Sequence, residues 1–116
     1  MKKCYRIKKS EQIEEIIKKG FSKSNPYFVI YKHKNTNNQH FRIAISAPKK
    51  LGNAVLRNNI KRKIRNSVMH NREKLNAKYD YFIVAREKCI SLKFEEFNKN
   101  FSDICMKIIK ENNKRK

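Results

Sequence analysis

Ile13, Ile16 and Ile17 fall at i, i+3 and i+4, the spacing that lines apolar side chains along one face of a helix. Ser10 ahead of them is a helix-capping residue type, and Gly20, directly after Lys18 and Lys19, is a stop signal. The period then changes. Tyr27 to His33 is dense in aromatic and β-branched residues, and Phe41 to Ser46 alternates Phe41, Ile43 and Ile45 with Arg42, Ala44 and Ser46, as a strand with one wetter face does. Lys34 to His40 is polar throughout and reads as the hairpin loop between these two strands. Helical spacing returns with Leu56, Ile60, Ile64 and Val68, capped by Asn53 and running to about Asn71. Tyr79 to Ala85 is a third apolar strand. Beyond Ser91, residues Phe94, Phe97, Phe101, Ile104 and Ile108 alternate spacings of three and four. The pattern gives helix, two strands, helix, strand, helix, with no repeat and no interdomain linker, so residues 1–116 form one domain with a frayed basic tail from about Asn112.

The helix after Asn53 has a second stripe that changes the picture. At about 100° per residue, Arg57, Asn58, Lys61, Arg62 and Arg65 form a polar band about 140° wide beside the apolar one. A solvated helix face usually mixes charge signs for i, i+4 pairing, and this one contains no negative partner. The asymmetry extends along the chain: from Ile16 through Arg72 there is no Asp or Glu, although Lys+Arg number 30 and Asp+Glu 10 overall, for a formal net charge of +20. A lysine-rich codon bias accounts for a share of the lysines, but it would not expel carboxylates from the middle or keep three arginines on one helix. Such a charge calls for a polyanionic partner. Membrane anchoring is not expected, because no apolar run approaches the roughly 20 residues of a span and no signal peptide is read at the start.

The basic band has a defined beginning. Lys49, Lys50 and Asn53 precede the helix, whose first N–H groups and positive dipole end make an anion site with them. Arginines pair with phosphate bidentately and lysines act as looser point charges, so Arg57, Arg62 and Arg65 are the better candidates for fixed contacts. Tyr27, Val29 and Tyr31 point to one side of their strand. They either stack on unpaired bases or belong to the core, and periodicity does not decide which face the helices cover. Cys4, Cys89 and Cys105 lack metal-ligand spacing and read as reduced thiols, Cys105 as core filler; His33, His40 and His70 are scattered. No metal site, catalytic residue or small-molecule substrate is expected in the chain.

KKLGNAVLRNNIKRKIRN, from Lys49 to Asn66, resembles the signature of the bacterial ribonuclease P protein component. The resemblance continues through Tyr5 to Lys9, FVIY at Phe28 to Tyr31, FRIAIS at Phe41 to Ser46 and YFIVAR at Tyr81 to Arg86, in the same order. It implies an α+β fold: a two-layer α/β sandwich in αβββαβα-like order, similar to the second domain of ribosomal protein S5, with a left-handed βαβ crossover through the helix after Asn53. Sequence alone suggests the opposite hand. It further implies a cytoplasmic accessory subunit of an endoribonuclease. On the same resemblance, a partner RNA and its Mg2+ ions would hydrolyse the phosphodiester that joins the 5′ leader to precursor tRNA. Carried over by motif, Asn53, Arg57, Asn58, Lys61 and Arg65 match RNA-contacting positions, joined on the same loop and helix by Lys49, Lys50 and Arg62, while Val29 and Tyr31 match a cleft for the single-stranded leader, to which the first helix offers Ile13 and Ile17.

Two positions depart from the family pattern. Asn59 stands where the family usually has arginine, so one phosphate contact is missing or supplied by Lys63, and Ile13 and Ile17 replace the aromatic residues often found in the cleft. Phosphodiester hydrolysis by the protein itself would need clustered carboxylates or a positioned acid–base pair, and the basic middle has no carboxylate. A structural ribosomal protein shares the size and charge and is the competing reading; an independent protein endoribonuclease is a third.

Overall fold

Over residues 5–111, the part of the chain described by the computed structural model, the elements are α1 (Ser10–Lys19), β1 (Phe21–Ser24), β2 (Phe28–Lys34), β3 (Arg42–Ser46), α2 (Ala54–His70), β4 (Tyr79–Ala85) and α3 (Phe94–Glu111). This is the αβββαβα order that the resemblance implied, with one strand more than the hydrophobic pattern gave. The added strand, β1, has the sequence FSKS with a single apolar residue, so no alternation marks it. Its strand geometry comes from β2, with Phe21 opposite Lys32 and Ser24 opposite Val29. The Asn25 carboxamide shapes the turn between them by accepting from the N–H groups of Tyr27 (2.9 Å) and Phe28 (2.8 Å).

The sheet order is β1-β2-β4-β3, with β2 antiparallel to β4 and β3 parallel to it. The loop expected to be a hairpin therefore is not one, because β4 lies between β2 and β3. β2 and β4 are the two inner strands, and each carries apolar side chains on both faces; in β4 these are Tyr79, Tyr81, Ile83 and Ala85 on one and Phe82 and Val84 on the other. The polar segment after β2 is instead tied to the start of β4, where Asn35 N–H donates to Lys78 O (2.6 Å) and the Asn38 amide donates to Tyr79 O and to Asp80 Oδ1 (2.8 Å).

Of the two helix signals around α1, the stop stands where it was read and the start does not. Ser10 is the first helical residue of α1, and the cap position falls on Lys9, which makes no side-chain cap bond. Gly20 ends the helix in an extended conformation (φ −85°), donating its N–H to Ile16 O at 2.9 Å. What demands glycine there is proximity: a Cβ would lie 2.2 Å from Lys32 O on β2.

The main core lies between one sheet face and the helices α2 and α3. It holds Phe28, Ile30, Ile43, Ile83 and Tyr81 from the sheet against Ile60, Ile64, Val68, Phe97, Phe101, Ile104 and Ile108. Phe28 meets Phe97 and Phe101 edge-on at centroid distances of 5.0 and 5.4 Å, a favoured aromatic geometry. Phe94, first in the apolar series of α3, is 68% exposed. On the opposite face α1 packs Ile16 and Ile13 against Ile7, Ala44, Tyr31 and Phe82, leaving Val29 and Val84 beside it. The tail from Asn112 and Cys4 lie outside the described residues.

Candidate nucleic-acid interface

The cationic segment begins in a short turn, Lys49–Leu51, pinned by buried Leu51, with Lys49 and Lys50 both exposed. Gly52 follows at φ 146°, a conformation disfavoured for other residues, and a Cβ there would lie 2.6 Å from the Leu56 side chain. Asn53 caps α2 as its sequence position indicated, its side-chain oxygen accepting from Leu56 N–H at 2.9 Å. The apolar stripe Ile60, Ile64 and Val68 is buried, fixing the rotation of the helix and sending the basic band away from the core.

The band's arginines are held in different ways. Arg57 donates from Nε to Ala47 O at 2.9 Å, and its terminal nitrogens have no partner among the described residues. Arg62 is exposed and donates from Nη2 to Asn59 Oδ1 at 2.6 Å. Arg65 turns toward α1. With Lys61, Arg6, Ile7, Ile13 and β3 it lines a cavity of about 190 Å³. Burial first, and the neighbouring charge of Arg6 second, lower the Arg65 pKa from its ordinary value. Arg6 was not singled out from the sequence; it arrives because the segment before α1 bridges to β3 at Ile43. Its place in the Tyr5 to Lys9 run was the available signal.

Of the two alternatives for the arginine absent at 59, a lost contact or a substitute in Lys63, the geometry favours the first, since Lys63 faces the other way. Its Nζ lies 5.8 Å from the Phe97 ring centroid on α3, within cation–π range. Asn58, between the held arginines, is exposed.

The cleft candidates divide. Val29 lines a groove of about 850 Å³ with Val84, Pro26 and Pro48, rimmed by Lys50, Arg86, Glu87 and Lys88. Tyr31, two residues on along the same strand face, is half-buried with its ring 5.9 Å from that of Phe82, in the cluster that also receives Ile13. Ile17 is 43% exposed on α1. Each cavity thus has one wall from the basic segment and another from the cleft residues: Lys50 with Val29 in the larger, Lys61 and Arg65 with Ile13 in the smaller.

Among the described residues no three His, Cys, Asp or Glu side chains converge to hold a metal ion. Cys89 and Cys105 are buried, and burial pushes their thiols up to about 11 and about 12, so neither is a nucleophile at neutral pH. Asp80 is buried on the α1 face of β4, where Arg42 donates to it twice (3.0 and 2.8 Å) and Asn38 and Asn35 once each. Burial alone would raise its pKa, but the hydrogen bonds from Arg42, Asn38 and Asn35 and the Arg42 charge outweigh that and hold it below the ordinary carboxylate value. No helix among the described residues is long and apolar enough to cross a membrane.

The ribonuclease P family model matches residues 1–109. The ribonuclease P protein component of Macrococcus caseolyticus is 46% identical over 115 residues, covering 99% of this chain and 98% of that one. Its counterpart in Bacillus mycoides is 42% identical over 100 residues, covering 86% and 87%. Among solved structures, the Staphylococcus aureus RNase P protein superposes with a TM-score of 0.82 at 37% identity, over 88% of this chain and 93% of that one. The RNase P protein from Thermotoga maritima gives 0.77 at 25% identity, over 84% and 92%.

Proposed function

The chain belongs to the ribonuclease P protein family, and on that premise we propose that it binds the catalytic RNA of the enzyme through Lys49, Lys50, Asn53 and the basic band of α2, and grips the 5′ leader of precursor tRNA beside Val29 and Tyr31. The observation that carries this reading is the pairing of walls in the two cavities, where cations of the basic segment face apolar residues of the cleft. Backbone phosphates and unpaired bases ask for that combination: charge for the chain of phosphates, apolar and aromatic surface for the bases.

In this proposal the chain performs no bond cleavage. Two observations support this: among the described residues the carboxylates, thiols and imidazoles do not converge, and Asp80 is already engaged by Arg42 and two amides. Hydrolysis is assigned to the RNA and its Mg2+ ions, in a cytoplasmic setting. The protein lowers phosphate–phosphate repulsion, holds the leader, and so raises substrate affinity and lowers the Mg2+ concentration the RNA requires. A purely structural ribosomal role shares the charge and size but is not favoured, given a family match over residues 1–109.

The test is reconstitution. Purified protein is expected to promote 5′ leader removal from precursor tRNA only when mixed with its cognate RNA; cleavage by the protein alone would overturn the proposal. Within the complex, Tyr31→Ala is expected to weaken leader-bearing precursor by about 1–3 kcal/mol, the worth of one stacked base, and to leave mature tRNA unaffected. Equal loss for both ligands would make Tyr31 a core residue, which its contact with Phe82 makes a real outcome to measure.

A further inference from the structure

We propose that Asn59 is a positioning residue for RNA binding: its side-chain oxygen holds the Arg62 guanidinium ready for a phosphate without cancelling its charge. This rests on the RNA-binding role of α2 given above. Arg62 is exposed on a long side chain, which must give up rotamer freedom when it binds. Asn59, one turn earlier and half-buried, accepts from Arg62 Nη2 at 2.6 Å, and the remaining guanidinium N–H groups have no protein partner among the described residues.

The chemical nature of the acceptor matters as much as its position. The chain holds arginines in two manners. Arg42 is held by the carboxylate of Asp80, and the pair is internally neutral. Arg57 and Arg62, both on α2, are held by neutral oxygens, the Ala47 carbonyl and the Asn59 carboxamide. A neutral acceptor fixes orientation and leaves the full positive charge for an incoming phosphate. A carboxylate at position 59 would hold Arg62 more tightly, since charge-assisted hydrogen bonds are the stronger ones, but would cancel the charge the RNA needs. Lys63 is no substitute, being turned onto Phe97.

The experiment measures affinity of the full chain for its cognate ribonuclease P RNA across a salt series. It compares wild type, Asn59→Ala, Asn59→Asp, Arg62→Ala and the Asn59→Ala/Arg62→Ala double variant, with thermal melts to establish that each is folded. Asn59→Ala is expected to weaken binding about threefold, the cost of ordering one long side chain, with the salt slope unchanged because no phosphate contact is lost. Arg62→Ala is expected to weaken binding further and make the slope shallower by about 0.7–0.9, one contact's worth of counterions. The double variant should bind no more weakly than Arg62→Ala. Asn59→Asp should keep or raise the melting temperature and yet weaken binding with a shallower slope. The proposal is overturned if Asn59→Ala binds like wild type, if it costs the same in the Arg62→Ala background, or if Asn59→Asp binds as tightly as wild type. Absence of RNA binding by the wild type would remove the parent reading, and this inference with it.

Discussion

Raising monovalent salt from about 50 to about 200 mM is expected to weaken the chain's hold on its RNA by roughly 10³- to 10⁴-fold. The magnitude follows from the cations that the fold collects on one side. Lys49, Lys50, Arg57, Lys61, Arg62 and Arg65 lie on or beside α2, and Arg6 joins Lys61 and Arg65 in their cavity. If each engages one phosphate and releases about 0.7–0.9 counterions, the logarithm of affinity falls with a slope near −5 to −6, and a fourfold rise in salt gives the stated loss. Binding titrations at four or five salt concentrations measure the slope directly. A flat response would mean that affinity resides in base contacts or apolar burial, and the basic face would lose its role. The segment supplies no neutralising partner of its own, because no Asp or Glu occurs from Ile16 through Arg72 and the held arginines on α2 use neutral acceptors.

The elements legible in the sequence were those whose own side chains decide their structure. The stripes of α2 and α3 and the apolar run of β4 each bury their face against the same core, so local pattern and tertiary environment agree. β1 was illegible because its strand character is borrowed from β2: four residues with one apolar side chain become a strand only where a neighbour supplies the hydrogen bonds. The spatial order of the strands was likewise hidden. Lys34 to His40 is polar enough for a hairpin, but what places β4 between β2 and β3 is the return of the chain through α2 to a strand apolar on both faces.

The site shows the same division. The basic band and the Asn53 cap depend on helical periodicity and a single local bond, and both stand where the sequence indicated. Arg6 depends on a bridge between residues far apart in the chain, Arg6 and Ile43, and no periodicity carries that information. The fate of Lys63 turned on the position of α3, whose Phe97 ring takes it away from the band. Ile13 and Ile17 share the helical spacing, yet Ile13 packs in the cluster beneath α1 while Ile17 is 43% exposed, the fully buried position of this helix being Ile16.

Arg42→Ala is expected to destabilise the protein by about 3 kcal/mol, with a melting temperature lower by about 12–15 °C, because it strips a buried carboxylate of its charged partner. Asp80 lies 3% exposed at the start of β4, and the Asn35 and Asn38 amides alone cannot replace the Arg42 charge. The loss would spread beyond one pair. The same carboxylate anchors the segment after β2 and, through Arg42, the first residue of β3, so two strands and a loop share it. The pH dependence separates this mechanism from a simple loss of packing. Asp80 is held below the ordinary carboxylate value, so in the wild type the pair's contribution is fully present above about pH 4. It is lost as pH falls through the lower folded value, where the group takes up its proton. The gap in stability between wild type and Arg42→Ala should therefore be widest near neutrality and narrow in acid. Urea unfolding at a series of pH values reads it out. A gap that stays constant down to pH values where Asp80 is protonated would assign the effect to the lost arginine side chain alone, and the buried ion pair would no longer be what ties the loop after β2 to the centre of the sheet.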